Sequence, residues 1–247
     1  MGLDRSEIGK RAAARAALSL VRDGMRLGLG TGSTAKWFVD LLGERARREG
    51  LDLVCVATSL RTARQAESVG LKVTTLDEAG WLDLTVDGAD EFDPDLNLIK
   101  GGGGALLQEK IVATASDRMI VITDVSKQVE HLGAFPLPVE IVTFGWETTK
   151  AIVEETLEDL DVSGVLTTLR MDGDEPYVTD CGNYIIDCHL KRIGDADDVA
   201  GQLNAIPGVV ETGLFIDIAD RVIVGYEDET VEILTLDDDD EDEADFV

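Results

Sequence analysis

Short apolar runs alternating with amphipathic stretches predict an α/β fold, a mostly parallel sheet of Rossmann-like type covered by helices on both faces. Three observations carry that prediction. Leu53-Val54-Cys55-Val56-Ala57 and Met119-Ile120-Val121-Ile122-Thr123 are nearly continuous apolar runs, as strands buried on both faces are. Between such runs, apolar residues recur at helical spacing, as in Trp37, Phe38, Leu41 and Leu42. Polar clusters follow the predicted strands repeatedly, at 31–34, 58–59, 87–90 and 124–127. Ligands of open α/β sheets bind beyond the carboxyl ends of the strands, so this recurrence locates a candidate site.

The elements follow in order. Asp4 with Glu7 three residues on resembles a helix start, and Asp23-Gly24 resembles its stop, giving a helix over about 4–22. A strand at 25–29 runs into Gly30-Thr31-Gly32-Ser33-Thr34, and a second helix covers 35–48. The strand at 53–57 is followed by a helix to about 70. Residues 71–76 read as a third strand and 82–86 as a fourth, ending at Asp87. A helix over roughly 105–116 carries Glu109 and precedes the strand at 119–123.

The texture changes after Phe135-Pro136-Leu137-Pro138. Helices over 150–160 and about 196–205, with strands at 164–171 and 184–189, predict a second, smaller α+β domain of ferredoxin-like type. Segments 213–216 and 221–225 read as strands returning to the first sheet. The expected organisation is a discontinuous domain of 1–133 and 209–236, a small domain of 134–208 and an acidic disordered tail of 237–247.

Fifty acidic residues against 22 basic ones give a net charge of −28. Eight of the acids lie in 237–247, and without them 42 still face 22, so the acidity is global. A nucleic-acid partner is excluded, since such binders carry a basic patch. No run approaches the ~18 apolar residues of a membrane helix. The first 21 residues lack a signal-peptide core because Arg5, Lys10, Arg11 and Arg15 interrupt them. Cys55, Cys181 and Cys188 have no metal or redox spacing and predict reduced thiols in the cytoplasm. Acidity with more arginine (14) than lysine (8) suits a high-salt cytoplasm, and a halophilic source is expected.

Gly28-x-Gly30-x-Gly32-Ser33-Thr34 is a glycine-rich strand-to-helix loop, suited to cradle a monophosphate with backbone N–H groups and hydroxyls, or simply to turn tightly. Ser33 stands where the dinucleotide fingerprint needs glycine, which disfavours a nicotinamide-dependent oxidoreductase. Asp87-x-x-Asp90 has no histidine nearby and makes a poor transition-metal site. Acid–base work, Mg²⁺ and helix capping stay open for it. Lys100 followed by Gly101, Gly102, Gly103 and Gly104 can place a cation and close-approaching backbone at an oxyanion. Glu109 is a candidate general base, against the ordinary reading of a solvent-facing helical glutamate. His131 and His189 have no partner at ligand spacing and read as structural.

Gly30-Thr31-Gly32-Ser33-Thr34-Ala35, Asp87-Gly88-Ala89-Asp90-Glu91 and Lys100-Gly101-Gly102-Gly103 through Glu109-Lys110 resemble the signature segments of ribose-5-phosphate isomerase type A. Ser126-Lys127-Gln128-Val129, Phe135-Pro136-Leu137-Pro138-Val139-Glu140, residues 180–187 and 207–215 resemble its later blocks, so the likeness runs to about Leu236. It implies interconversion of D-ribose 5-phosphate and D-ribulose 5-phosphate through an enediol, without cofactor or metal. It implies Glu109 as the base between C2 and C1, Asp87 in ring opening and proton shuttling, and Asp90 orienting the sugar. Lys100 would stabilise the enediolate. Thr31, Gly32, Ser33, Thr34, Gly88, Ala89, Gly101, Gly102, Gly103 and Lys127 would line the substrate, with Lys10 as a weaker match on the phosphate side. A homodimer or homotetramer is implied. The segment Ala57-Thr58-Ser59-Leu60-Arg61-Thr62 is less serine-rich than in many members, and the acidic tail lies outside the family pattern. A sugar-phosphate-sensing regulatory domain is the alternative, though no basic helix-turn-helix segment accompanies it.

Overall fold

The computed structural model describes residues 4–236; the acidic stretch 237–247, expected as a disordered tail, lies outside the described residues. The chain divides into two compact units, and the division falls within the helix Leu106–Thr114. One unit holds the chain up to Ala89, Gln108–Lys127 and the chain from Asp217; the other holds Asp90–Leu107 and Gln128–Ile216. Residues 90–107, 128–133 and 209–216 thus group with the second unit, outside the range 134–208 expected for the small domain.

The first unit is built on a seven-stranded sheet. Its order is Val231–Thr235, Arg221–Gly225, Met119–Asp124, Leu84–Asp87, Arg26–Leu29, Val54–Ala57, Lys72–Val73. All neighbours are parallel except the first pair. Leu29 is in register with both Ala57 and Val86, and Asp87 with Val121. The segments that leave these strands therefore emerge at one edge of the sheet, where the polar clusters sit. Helices Arg5–Ala17 and Ser33–Glu49 bury Ala13, Ala17, Phe38 and Leu42 against Leu27, Leu29, Val86 and Ile122. Each fully buried Leu or Phe contributes about 1.5–3 kcal/mol.

The second unit carries a four-stranded antiparallel sheet in the order Val209–Thr212, Leu137–Ile141, Tyr184–His189, Leu166–Leu169. With helices Trp146–Glu158 and Ala196–Asn204 between its strands, this is a β-α-β-β-α-β arrangement of ferredoxin-like type. A small sheet of Leu214–Phe215, Leu98–Ile99 and Glu91–Phe92 completes the unit. Its turn of chain at Gly133 and Phe135 is held by Glu91, whose carboxylate accepts both backbone N–H groups (2.7 and 2.5 Å).

Several expectations are corrected. Strand 213–216 does not return to the main sheet: Leu214–Phe215 pairs with Leu98–Ile99 instead, and only Arg221–Gly225 returns. The strand expected over 71–76 is only Lys72–Val73, because Thr75 caps a helical turn, Leu76–Ala79, by accepting from the Glu78 N–H. A further strand, Leu137–Ile141, lies where Pro136 and Pro138 argue against one. Pro138 still joins the sheet through its carbonyl, which accepts from the Gly213 N–H (2.7 Å). Asp4 does cap the first helix, through the Arg5 N–H, but Glu7 turns away from the cap to Lys10 and Trp37.

Candidate active site

Of the expected site residues, Thr31, Gly32, Ser33, Thr34, Asp87, Gly88, Ala89, Glu109 and Lys127 belong to the first unit. Asp90, Lys100, Gly101, Gly102 and Gly103 belong to the second.

In the first unit, Asp87 ends its strand with a wholly buried side chain. Its Oδ1 accepts from the N–H groups of Thr31 (3.0 Å) and Gly88 (2.7 Å). The carboxylate occupies the space beside Gly30, where an added Cβ would lie 2.0 Å from Oδ1. Asp87 is thus held by backbone rather than capping a helix. Two strand positions earlier, Gly28 leaves room for Thr85 Oγ1 and for Val112 on the helix Leu106–Thr114, which lets that helix lie close to the sheet.

The hydroxyl of Thr31 does not point outward. It lies within 3.0 Å of the hydroxyls of Thr58 (2.8 Å), Ser59 (2.8 Å) and Thr62 (3.0 Å), in a buried cluster that joins the ends of two neighbouring strands. The loop 58–62, poor in serine, serves here as a scaffold for residues 30–31, with Thr62 Oγ1 also donating to the Gly30 carbonyl. Thr34 is buried and Ser33 is exposed, so Ser33 is the hydroxyl of this loop open to solvent. The helix Ser33–Glu49 begins at Gly32, which has φ 127° and supplies no side-chain cap. A helix N-terminus of this kind favours an anion.

Glu109 lies on the helix Leu106–Thr114 and is 2% exposed, so it is not the solvent-facing glutamate of the ordinary reading. Lys127 is half-buried at the end of a single 3-10 turn, Val125–Lys127, which follows the strand Met119–Asp124. Asp124 holds that turn by accepting from the Ser126 N–H (3.0 Å). Lys10 pairs with Glu7 (2.8 Å), whose other oxygen accepts the Trp37 indole N–H (2.8 Å). The lysine hydrogen bond, the largest influence, pulls the Glu7 carboxyl below its ordinary value.

In the second unit, Lys100 follows the strand Leu98–Ile99 and is 2% exposed. Its backbone N–H donates to Gly213 (2.9 Å), and its Nζ stands 5.4 Å from the centre of the Phe215 ring, within cation–π range. Asp90 Oδ2 accepts the Gly102 N–H (2.7 Å). Gly101 has φ +100°, and a Cβ on Gly102 would fall 2.6 Å from Asp90 Oδ1, so both positions call for glycine.

Two residues here had no role assigned. Arg170 donates from Nη1 to the carbonyl of Gly101 (2.7 Å) and is gripped along its Nε–Nη2 edge by the two carboxylate oxygens of Asp187. Glu140, 1% exposed, accepts from Thr179 Oγ1 (2.9 Å), Asn183 Nδ2 (2.9 Å) and the N–H of Leu107, at the start of the helix that carries Glu109. Burial pushes its carboxyl above the ordinary glutamate range, with those hydrogen bonds opposing. Glu140 and Asp187 lie in segments that already resembled a family; nothing in the sequence around Arg170 marked it. Among the described residues, no group of three or more His, Cys, Asp or Glu side chains is arranged to hold a metal ion.

Residues 54–229 match the family model of ribose 5-phosphate isomerase A (phosphoriboisomerase A). The chain is 65% identical over 224 residues to the ribose-5-phosphate isomerase A of Ruegeria pomeroyi, covering 91% of this chain and 86% of that protein. Among solved structures, ribose 5-phosphate isomerase A from Methanocaldococcus jannaschii is 38% identical with a TM-score of 0.84, covering 92% of this chain and 98% of that one. A D-ribose-5-phosphate isomerase in complex with phospho-erythronic acid is 43% identical with a TM-score of 0.85, covering 92% and 97%.

Proposed function

We propose, from the premise that this chain belongs to the ribose 5-phosphate isomerase A family, that it interconverts D-ribose 5-phosphate and D-ribulose 5-phosphate through an enediol. The observation that carries the reading is the burial of three ionisable side chains, Asp87, Lys100 and Glu109, at the positions that resemble the family's signatures. Taking a charge out of water costs several kcal/mol, and an enzyme recovers this where the same charges stabilise a transition state.

The roles follow from the chemistry. Asp87, fixed by two N–H groups, serves the sugar hydroxyls in ring opening and proton shuttling. Glu109 takes the C2 proton of the open aldose, and the released electron pair moves toward C1, giving an enediolate whose oxygen Lys100 neutralises. Return of the proton from Glu109 to C1, with transfer of the O2 proton to O1 as the C2 carbonyl forms, completes the ketose. General-base catalysis supplies roughly 10²–10⁴ in rate. Each positioned oxyanion donor adds about 10²–10³. Asp90 orients the sugar, and Gly101, Gly102 and Gly103 let backbone approach its reacting end; Gly88 and Ala89 also line the substrate. Ser33, the Gly32–Thr34 backbone and Lys127 receive the phosphate.

Phospho-erythronic acid, named with the 43% identical structure, carries a carboxylate where an enediolate carries its charge, and this chain is expected to bind compounds of that class. The reading extends to a cytoplasmic homodimer or homotetramer from a halophile, acting on a free sugar phosphate. Ribose 5-phosphate supplied to the protein with EDTA and without added cofactor tests the function. Ketose should accumulate to an equilibrium mixture. Binding without turnover would replace the isomerase by a sugar-phosphate sensor.

A further inference from the structure

Arg170 directly follows the strand Leu166–Leu169, which pairs with Tyr184–His189, the strand that carries Asp187. The main chain of Arg170 is tied on both sides, its N–H to Ile185 (2.8 Å) and its carbonyl to the Tyr177 N–H (2.9 Å). Its guanidinium is held by both Asp187 oxygens, with the two side chains only 16% and 18% exposed. A bidentate pair of this kind fixes the guanidinium plane, which a lysine at 170 would not reproduce.

The remaining Nη1 reaches the Gly101 carbonyl at 2.7 Å, with a longer contact to Gly102 O at 3.4 Å. That carbonyl and the Gly102 N–H belong to the same peptide unit. The N–H donates to Asp90 Oδ2, also at 2.7 Å. One peptide plane is therefore pinned at its oxygen by Arg170 and at its nitrogen by Asp90. Neither neighbouring residue has a side chain that would restrain the plane by itself. A cation at the carbonyl also polarises the peptide and strengthens the N–H bond to the carboxylate.

We infer that Arg170, locked by Asp187, is a positioning residue that orients Asp90 through the Gly101–Gly102 peptide. The inference rests on the role of Asp90 in the proposed isomerase. In the absence of the guanidinium the glycine plane rotates, and the Asp90 carboxylate loses the donor that aims it. Misplacement of a substrate-orienting group by about 1 Å costs on the order of a hundredfold in turnover.

The test is a double-mutant cycle on turnover of ribose 5-phosphate with R170M, D90N and the double variant, alongside thermal unfolding and the Gly102 amide resonance. R170M should lower kcat by roughly ten- to hundredfold. The double variant should fall within about twofold of D90N alone, because both changes break one chain of contacts. The Gly102 amide proton should move upfield in R170M as its bond to Asp90 weakens. Losses that multiply, or an unmoved Gly102 amide, overturn the inference. Wild-type turnover in D90N would instead remove Asp90 from the proposed mechanism, and with it the target of Arg170. Where R170M does not fold, D187N keeps the guanidinium and frees its orientation. It should show the same non-additivity and amide shift, and their absence counts equally against the inference.

Discussion

Gly30 and Asp87 share one space: a Cβ on residue 30 would stand 2.0 Å from Asp87 Oδ1 and 2.5 Å from its Cα. The glycine of the loop and the aspartate of the next strand are thus one device, and the Thr31 N–H that follows Gly30 is what holds the carboxylate. Gly30→Ala forces backbone apart where neither partner is flexible. Overpacking of this kind costs about 1–3 kcal/mol. The variant should melt several degrees lower and lose turnover more steeply than stability. A G30A enzyme with wild-type kcat would show that Asp87 needs no such placement.

Glu109 and Lys127 should separate in kinetics. Glu109→Gln keeps the shape but removes the base, so kcat should fall at least about a hundredfold. KM should move little, since the lost interaction belongs to the transition state. Lys127→Met removes a charge proposed to meet the non-reacting phosphate, and should raise KM for ribose 5-phosphate. Near-normal turnover in the first variant, or an unchanged KM in the second, contradicts the respective role.

Glu140 gives a pH signature in stability. Burial holds its folded-state carboxyl above the ordinary glutamate range. The folded protein then binds this proton more tightly than the unfolded chain does. Its contribution is largest at low pH and is lost as pH rises from the ordinary glutamate value through the raised one. Glu140→Gln does not ionise, so the melting temperature of the variant minus that of the wild type should increase across that interval and level off above it. Paired thermal unfolding curves from about pH 4 upward read this directly. A pH-independent difference would mean that the carboxyl binds its proton equally in the folded and unfolded chains, against the raised value.

The charge of −28 predicts that salt stabilises the protein. At about 1 M salt the screening length falls to about 3 Å, which suppresses repulsion among surface carboxylates. Melting temperature should rise from dilute buffer to molar KCl. A flat or falling trend would remove the high-salt reading.

The sheet, its mostly parallel character and the polar edge are legible because period and glycine punctuation are local properties. Leu53 to Ala57 and Met119 to Thr123 needed only their own side chains to declare two buried faces. The strand Leu137–Ile141 is not legible because proline argues against a central strand, and only the tertiary partner Gly213, whose N–H donates to the Pro138 carbonyl, reveals the pairing. Leu214–Phe215 pairs with Leu98–Ile99 and not with the main sheet, and a two-residue strand carries no mark of its partner in the sequence.

By itself the sequence determined the α/β class, the acidic surface and the set of residue types at the site, through local periodicity, net charge and motifs whose order resembles one family. The tertiary structure decided which of those groups are buried and what holds them. Thr31 faces a hydroxyl cluster rather than solvent, Glu109 turns inward, and Arg170 reaches a glycine carbonyl 69 residues away. Burial and long-range hydrogen bonds depend on which distant segments the fold brings together, and spacing along the chain does not record that.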